Sequence, residues 1–273
     1  MSDFLQQMAQ SSAERASRAK RKYSDDELDL PLLPLSLSNF DVLAEIKDYS
    51  PSEGALAGAD SDRLHQAQMY AEGGAVAVSV LTEPSRFAGD LRHLREVAAL
   101  LAGAGVPAMR KDFLVDPVQL LEARAAGASG ALLITAMQDD QQLTEMLDCA
   151  CDLSLFVLLE AFDEDDLERT AHLLERPRYA DRANAGQLLV GVNTRNLRTL
   201  KVDPDRLRHL GPALPNNAVC VAESGLHTGA DAAAAAGWGY RMALVGTALM
   251  RSADPAGLIR DMRRSGNAAR GAG

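Results

Sequence analysis

One rhythm repeats eight times along this chain: a short apolar run is followed by a stretch with helical character. The runs are rich in Val, Leu and Ile without strict polar alternation, which is typical of parallel strands covered by helices. The stretches between them, such as "DPVQLLEARAAGA", have helical patterns, and several end at glycine. The eight runs lie at residues 42–46, 75–81, 107–110, 131–135, 155–161, 188–192, 218–224 and 243–246.

Eight such units within roughly 230 residues predict an α/β fold, a single (β/α)8 TIM barrel. We place the barrel at residues 36–263, after an N-terminal helical extension at 1–35 with a Pro-rich connector. The small, polar residues 264–273 are expected to form a disordered tail. A doubly wound open sheet is the alternative fold. It is disfavoured because no G-x-G-x-x-G follows the first apolar run.

The overall charge and the cysteine pattern exclude several classes of protein. A formal net charge of -10 over 273 residues argues against binding to nucleic acid or to a membrane surface. The first 22 residues lack the apolar stretch of a signal peptide, and no run reaches membrane-spanning length, so a cytoplasmic protein is expected. Cys149, Cys151 and Cys220 have no second pair or histidine partner at metal-site spacing, so no metal site is predicted.

Charged residues stand where several of the apolar runs end, which is where a barrel enzyme builds its active site. Glu45 and Lys47 close the first run, Lys111 closes the third, and Glu160 closes the fifth. Residues two apart in a strand share a face, so Glu45 and Lys47 face the barrel interior together. Ionisable groups buried together shift each other's pKa, which suits acid–base catalysis. The alternative for the pair alone is a structural ion pair that plugs the barrel.

The other run ends suggest ligand contacts. Small residues in "AESG" and "VGTA" expose backbone N–H groups near a helix N-terminus, which suits a phosphate, although the alternative is that the glycines serve tight turns alone. Phe87 and Phe113 are candidate walls for an aromatic ligand or ordinary core residues. Arg195 can fork onto a carboxylate or serve on the surface. We assign no catalytic role to the histidines, which fall mainly in helical stretches: His65, His93, His172, His209 and His227.

Together these motifs resemble the indole-3-glycerol phosphate synthase family of tryptophan biosynthesis. The family's E-x-K-x-x-S-P-S appears as "EIKDYSPS", its L-R-K-D-F as "MRKDF", and its V-E as "LLEAF". Its N-x-R-[DN]-L appears as "NTRNL", its S-E-S-G as "AESG", and its L-V-G-x-x-L-M-R as "LVGTALMR". The match runs in order from about residue 36 to 255.

The resemblance implies a carboxy-lyase that needs neither cofactor nor metal. Its substrate would be 1-(2-carboxyphenylamino)-1-deoxyribulose 5-phosphate, which closes its ring and loses carbon dioxide and water to give indole-3-glycerol phosphate. The implied partner is this phosphorylated small molecule, with no nucleic acid and no membrane. The expected assembly is a monomer or a weak homodimer.

The resemblance also implies roles for the charged ring. Lys111 would be the general acid at the carbonyl, a role a lysine can fill when burial and positive neighbours lower its pKa. Glu160 would serve the loss of water, Glu45 and Lys47 would orient and assist, and Asn193 would hold a hydroxyl. Which of Lys47, Lys111 and Glu160 moves which proton stays open. The implied substrate contacts are Ser50, Phe87, Phe113, Leu132, Arg195, Glu223, Ser224, Gly225, Gly246 and Thr247.

Three features depart from the family pattern. Asp48 follows the first lysine where the family has a basic or neutral residue, but strand alternation turns it away from the face of Lys47. Ala161 and Phe162 replace a Val-His pair, and the N-terminal extension matches poorly. Two alternatives therefore stay open: another ribose-phosphate barrel enzyme resembling phosphoribosylanthranilate isomerase, or a paralogue that binds a phosphorylated ligand without turnover.

Overall fold

The fold is a closed ring of eight parallel strands. The computed structural model describes residues 3–20, 22–50, 54–56, 63–199 and 201–271. Around the ring each strand pairs with its sequence neighbours, and the first pairs with the last, so the sheet has no edge. This closure confirms the predicted barrel and excludes the doubly wound open sheet. The strands are β1 Asp41–Ile46, β2 Ala77–Leu81, β3 Ala108–Lys111, β4 Gly130–Ile134, β5 Phe156–Ala161, β6 Leu188–Asn193, β7 Val219–Glu223 and β8 Met242–Val245.

Helices precede, connect and follow the strands. Among the described residues, no helix is both long and apolar enough to cross a lipid bilayer. Shortly after β1, Tyr49–Ser50 and Gly54–Ala55 pair as two antiparallel strands of two residues each. The helices are α1 Asp3–Arg18, α2 Asp25–Leu28, α3 Arg63–Glu72, α4 Pro84–Phe87, α5 Leu91–Ala102, α6 Val118–Ala125, α7 Asp140–Asp152, α8 Glu164–Leu174, α9 Pro177–Asn184, α10 Arg206–Leu210, α11 Gly229–Gly237, α12 Thr247–Met250 and α13 Pro255–Gly271, with 3-10 turns at Thr135–Met137 and Gly211–Ala213.

Apolar side chains form two separate cores, one on each face of the barrel sheet. In β1, Val42 and Ala44 belong to the layer between strands and helices, whereas Leu43 belongs to the cluster inside the barrel. Every residue of β1 is buried, which explains why the strands show no polar alternation. Glu45 shares the inward face with Leu43, so the barrel directs a carboxylate toward its interior.

The N-terminal helix α1 docks beside the mouth of β3. Leu5, Met8 and Ser12 are buried on one helical face. Arg15 donates two hydrogen bonds of 2.8 Å to the carboxylate of Asp112, the residue after Lys111. Burial alone would raise the pKa of Asp112, but the hydrogen bonds and charge of Arg15, with the charge of Arg110, outweigh it and lower that pKa to about 2. The extension is thereby fixed to the strand that carries Lys111.

The C-terminal segment differs from its predicted disorder. Helix α13 continues through Gly271, so the predicted tail is wrong for residues 264–271. Asn267 accepts a hydrogen bond from the Phe40 backbone N–H and donates one to the Phe40 carbonyl, at 3.0 and 2.9 Å. Gly266 is buried against the Phe40 ring, with no space for a Cβ. The small, polar composition gave no sign of these contacts with a residue 227 positions away.

Candidate active site

A cavity opens at the C-terminal ends of the strands and receives residues from all eight of them. Ser50 is the one predicted site residue that cannot be placed there, because its side chain lies outside the described part of the structure. The predicted site residues that line the cavity are Glu45, Lys47, Phe87, Lys111, Phe113, Leu132, Glu160, Asn193, Arg195, Glu223, Ser224, Gly225, Gly246 and Thr247.

Lys111 lies between two buried carboxylates. Its Nζ is 3.3 Å from Glu160 Oε2 and 3.4 Å from Glu223 Oε2. The lysine side chain is 14% exposed, whereas the two glutamates are 2% and 1% exposed. The ammonium group therefore faces the cavity, and both carboxylates hold it from below.

The charges in this trio set the pKa of two members. Burial alone would lower the pKa of Lys111, but the negative charges of Glu160, Glu223 and Glu45 outweigh it and raise that pKa above its ordinary value. The condition under which a lysine becomes a stronger acid, a pKa lowered by positive neighbours, is thus not met at Lys111. Burial and then the charge of Glu160 raise the pKa of Glu223 to about 8, against the opposing effect of Lys111. One lysine does not neutralise two carboxylates, so burial beside Glu160 favours the protonated form of Glu223.

The second lysine has its own carboxylate. Lys47 Nζ lies 3.0 Å from Glu45 Oε1, which confirms that the two side chains share the inward face. Gly246, at the end of β8, leaves the space that this pair occupies. A Cβ built on Gly246 would overlap Glu45 Oε1 and lie 3.2 Å from Lys47 Nζ. The absence of a side chain at Gly246 thus serves the ion pair, whatever its backbone binds.

Asn193 connects the carboxylates to the loops after β6 and β7. Its Nδ2 donates a 3.2 Å hydrogen bond to Glu160 Oε1. Its Oδ1 accepts from the hydroxyl of Ser224 at 2.8 Å and from the backbone N–H of Arg195 at 2.9 Å. These bonds fix the Asn193 amide and orient Glu160 from the side opposite Lys111.

The loops after β7 and β8 have the shape of an anion site. Ser224 and Gly225 are both left-handed, with φ of 68° and 76°. A serine in that region is strained, and such strain concentrates at functional sites. Gly246 is the N-cap of α12, which begins at Thr247. Small residues at both strand ends keep side-chain bulk out of the cavity at this point.

Aromatic side chains form another part of the cavity wall. The rings of Phe87 and Phe113 lie 6.1 Å apart, and the ring of Phe4 meets Phe113 edge-on at 5.9 Å. Phe4 was not predicted from the sequence, although the apolar residues of α1 recur at helical spacing. Such spacing predicts a buried face but does not name the surface on which it docks.

Further lining residues were missed. His227 lies in the loop after β7 and lines the cavity, outside the helical stretches that hold most histidines. Thr194 also lines it, and its hydroxyl is buried with no hydrogen-bond partner among the described residues. Leu197 and Val202 come from the loop after β6, in which a bridge joins Arg195 to Val202. Their apolar side chains fall in no regular strand or helix pattern.

The two positions that depart from the family pattern have local partners. Asp48 pairs with Arg63 of α3 at 2.5 Å and lies 3.9 Å from His93 Nδ1, which confirms that it turns away from Lys47. Phe162 is buried after β5, and the guanidinium of Arg198 lies 5.7 Å from its ring centroid. Neither departure introduces a charge into the cavity.

Comparison with known proteins gives consistent matches. A family model described as indole-3-glycerol phosphate synthase matches residues 5–262. The indole-3-glycerol phosphate synthase of a Nocardioides species is 44% identical over 221 residues, covering 81% of this chain and 79% of that protein. The Mycobacterium leprae protein of that name is 43% identical over 225 residues, covering 82% and 77%. The Mycolicibacterium gilvum protein of that name is 40% identical over 254 residues, covering 93% and 86%.

Solved structures agree in fold. A 3-hexulose-6-phosphate synthase from Salmonella typhimurium superposes with a TM-score of 0.60 at 14% identity, covering 85% of this chain and 100% of that one. A phosphoribosylanthranilate isomerase from Thermotoga maritima gives a TM-score of 0.55 at 13% identity, covering 84% and 99%. At these identities the likeness concerns the barrel alone.

Proposed function

The chain belongs to the indole-3-glycerol phosphate synthase family, and we propose that its barrel mouth performs that family's reaction with Lys111 as the central catalytic residue. The ring carbon that bears the carboxylate of 1-(2-carboxyphenylamino)-1-deoxyribulose 5-phosphate attacks the ribulose carbonyl, after which carbon dioxide and water leave. The observation that carries the assignment of roles is the position of Lys111. It lies between Glu160 and Glu223, in one cavity with the aromatic wall and with the turn at Ser224 and Gly225 that suits an anion.

Lys111 acts on the carbonyl oxygen during ring closure. The surrounding carboxylates keep it charged at neutral pH, because they raise its pKa. A lysine with a raised pKa is a weaker acid, so its first contribution is electrostatic stabilisation of the negative oxygen that develops. Proton transfer follows as that oxygen gains basicity. Lys47 lies in the same cavity beside Glu45 and is placed to contact a substrate anion.

Glu160 and Glu223 serve the loss of water. Glu160 accepts hydrogen bonds from Lys111 and Asn193, which keep it oriented toward the cavity. Glu223 retains a proton at neutral pH because burial and the charge of Glu160 raise its pKa. The pair thus holds a base and an acid side by side, and dehydration needs both.

The remaining residues bind the substrate. Ser224 and Gly225 turn the backbone where the phosphate would lie, and Gly246 and Thr247 complete that end of the cavity. Phe87, Phe113 and Leu132 form the slot for the aromatic ring. The Arg195 side chain pairs with no carboxylate in the described part of the chain, so its guanidinium is available for the substrate carboxylate. Ser50 keeps the phosphate-side role implied by its motif.

Thr194 is an additional substrate contact. Its buried hydroxyl lacks a partner among the described residues, and a Cβ on Gly225 would lie 3.6 Å from it. Buried hydroxyls normally form hydrogen bonds, so an unpaired one that lines a cavity suits a ligand oxygen. We place the phosphate-proximal end of the sugar against it.

We also propose that helix α1 of the N-terminal extension covers the aromatic end of the site and that the chain acts as a monomer. The contact between Phe4 and Phe113 and the Arg15–Asp112 bonds support the cover. The monomer is supported by the cavity, since one chain supplies residues from all eight strands. Size-exclusion chromatography with light scattering checks the mass, and a dimer that loses activity on dilution would contradict it.

The assay is indole-3-glycerol phosphate formation by the purified chain, followed by product fluorescence. Turnover supports the proposal. Isomerisation of phosphoribosylanthranilate without ring closure would instead support the isomerase-like alternative. Binding of the product without turnover would support the non-catalytic alternative. Variants of Lys111 and Glu160 then separate the residue roles from the overall activity.

A further inference from the structure

Strand β6 carries a glycine on its inward face, directly below the cavity. Alternation places Leu189, Gly191 and Asn193 on one side of the strand, with Leu189 in the cluster inside the barrel and Asn193 in the cavity. A Cβ built on Gly191 would overlap Glu223 Oε1 and lie 3.1 Å from Leu158 Cδ1. Any residue other than glycine therefore collides with the carboxylate of Glu223 as it lies.

Backbone conformation does not explain this glycine. Gly191 does not adopt a positive φ, and it lies in a regular strand paired with Glu160 and Val221. Glycine in a strand interior weakens the strand, because it loses more conformational freedom on folding than other residues and has no side chain to pack. The space it leaves is instead filled by Glu223, whose Oε1 has no hydrogen-bond partner among the described residues.

We propose that Gly191 is a positioning residue: the space above it seats the Glu223 carboxylate so that Oε2 reaches Lys111. The proposal rests on the role proposed for Lys111, whose ammonium group Glu223 holds at 3.4 Å opposite Glu160. A methyl group at position 191 pushes the carboxylate upward, toward the cavity, and moves the ammonium group with it. The residue never touches substrate and acts only through Glu223.

The same arrangement recurs on the other side of the barrel. Gly246 follows β8, and a Cβ there would overlap Glu45 Oε1. Each lysine therefore has a carboxylate partner that occupies space left by a glycine on the adjacent strand. Gly191 on β6 lies beside Glu223 on β7, and Gly246 after β8 lies beside Glu45 on β1. Two independent occurrences argue that these glycines serve the ion pairs.

The first test is Gly191→Ala. Displacing a catalytic group by about 1 Å costs on the order of 100-fold in rate, so we expect kcat to fall by about that factor while KM changes less than about threefold. The matched control is Gly130→Ala in β4, where an added Cβ would overlap the Phe156 ring and no carboxylate. The control is expected to lower Tm through overpacking and to keep kcat within about threefold of wild type.

The second test is rescue by Glu223→Asp. This change shortens the side chain by one bond, about 1.5 Å, which makes room for the methyl group. Alone it draws the carboxylate away from Lys111 and lowers kcat. In the Gly191→Ala background it is expected to raise kcat at least about fivefold, a reversal of sign that independent sites do not show. If Gly191→Ala does not fold, recovery of its circular dichroism by Glu223→Asp gives the same answer.

The outcomes separate this inference from the proposed function. The inference alone is overturned if the wild type is active and the kcat of Gly191→Ala stays within about threefold of it. It is also overturned if the effects of Gly191→Ala and Glu223→Asp on kcat simply multiply in the double variant. A wild type that forms no product overturns the proposed function. Titration of Glu223 by carbon-13 NMR in the wild type and in Gly191→Ala then still tests the seat, because a carboxylate displaced relative to Lys111 and Glu160 feels their charges differently and changes its pKa. An unchanged titration overturns the inference without reference to turnover.

Discussion

Replacement of Lys111 by methionine is the sharpest test of the proposed chemistry. Methionine keeps most of the apolar stem but cannot donate a proton or stabilise a negative oxygen. At an effective dielectric near 20, the 3.3 Å contact between the ammonium group and the Glu160 carboxylate is worth about 5 kcal/mol of attraction, whereas protonated Glu223 offers a hydrogen-bond acceptor at 3.4 Å. Without the ammonium group the Glu160 carboxylate loses its positive partner, so Glu160 and Glu223 hold the proton between them more tightly.

The expected loss in Lys111→Met is about 10²–10⁴ in kcat, or roughly 3–5 kcal/mol of barrier. Substrate affinity changes less, because the groups proposed to bind the substrate anions, the turn at Ser224 and the guanidinium of Arg195, lie on other loops of the cavity. Product fluorescence measures kcat, and calorimetric titration with indole-3-glycerol phosphate measures affinity separately. Circular dichroism confirms that the variant is folded.

Lys47→Met is the matched comparison, since Lys47 lies in the same cavity with a single carboxylate partner. We expect it to weaken binding more than the chemical step. If Lys111→Met keeps more than about a tenth of wild-type kcat while Lys47→Met loses most of it, the acid is Lys47. If both keep their activity, neither lysine carries the step and the proposed roles fail.

Three other positions give tests that rest on the same contacts. Asp48→Asn should leave KM within about threefold, because its carboxylate pairs with Arg63 outside the cavity; a tenfold drop, worth about 1.4 kcal/mol, would contradict this orientation. Glu223→Gln should raise Tm relative to the wild type, and the difference should grow from about pH 4.5 to pH 8. The pKa of Glu223 rises to about 8 on folding, so the wild-type folded state loses stability as the pH increases over that window, and the glutamine variant does not. A Tm difference that stays constant with pH would argue against the buried proton. Thr194→Val should raise KM about tenfold without lowering Tm, because the hydroxyl has no protein partner to lose among the described residues. Thr194→Ser keeps the hydroxyl and should have a KM near that of the wild type. A fall in Tm with unchanged KM in Thr194→Val would indicate a structural role.

Residues at the strand ends could be predicted from the sequence, because a closed parallel barrel brings them together whatever the details of packing. Lys111 and Glu160 are 49 positions apart, yet both belong to the carboxyl ends of apolar runs. What the pattern missed depends on contacts between unrelated stretches. Phe4 of the N-terminal helix α1 contacts Phe113 after β3, and Asn267 forms hydrogen bonds with Phe40, 227 positions away in the chain. In the first case the sequence predicted a helical extension but not the surface on which it docks, and in the second case small polar residues hid the contact.

The glycines show a further limit of sequence reasoning. Gly246 was predicted to be a phosphate-loop residue because it follows a strand and precedes a short helix, and its backbone still fits that role. Only the three-dimensional structure shows that a Cβ on Gly246 would point toward Glu45 and Lys47. Gly191 carried only a general signal, since a glycine inside an apolar run indicates a bulge or a close approach without naming the partner.

The charge balance of the cavity explains why a buried carboxyl should keep its proton in an enzyme that binds a polyanion. Lys47, Lys111 and Arg195 supply three positive charges, and Glu45 and Glu160 offset two of them. Asp112 also lines the cavity, but its charge is balanced by Arg15 of α1 and is left out of this sum. With Glu223 protonated the site carries a formal charge of about +1, whereas its ionisation would bring that sum to zero before a phosphate and a carboxylate arrive. Bound substrate adds negative charge nearby and strengthens the preference for the neutral form. We therefore expect the proton on Glu223 to serve binding first and to remain beside Glu160 when a hydroxyl must leave as water.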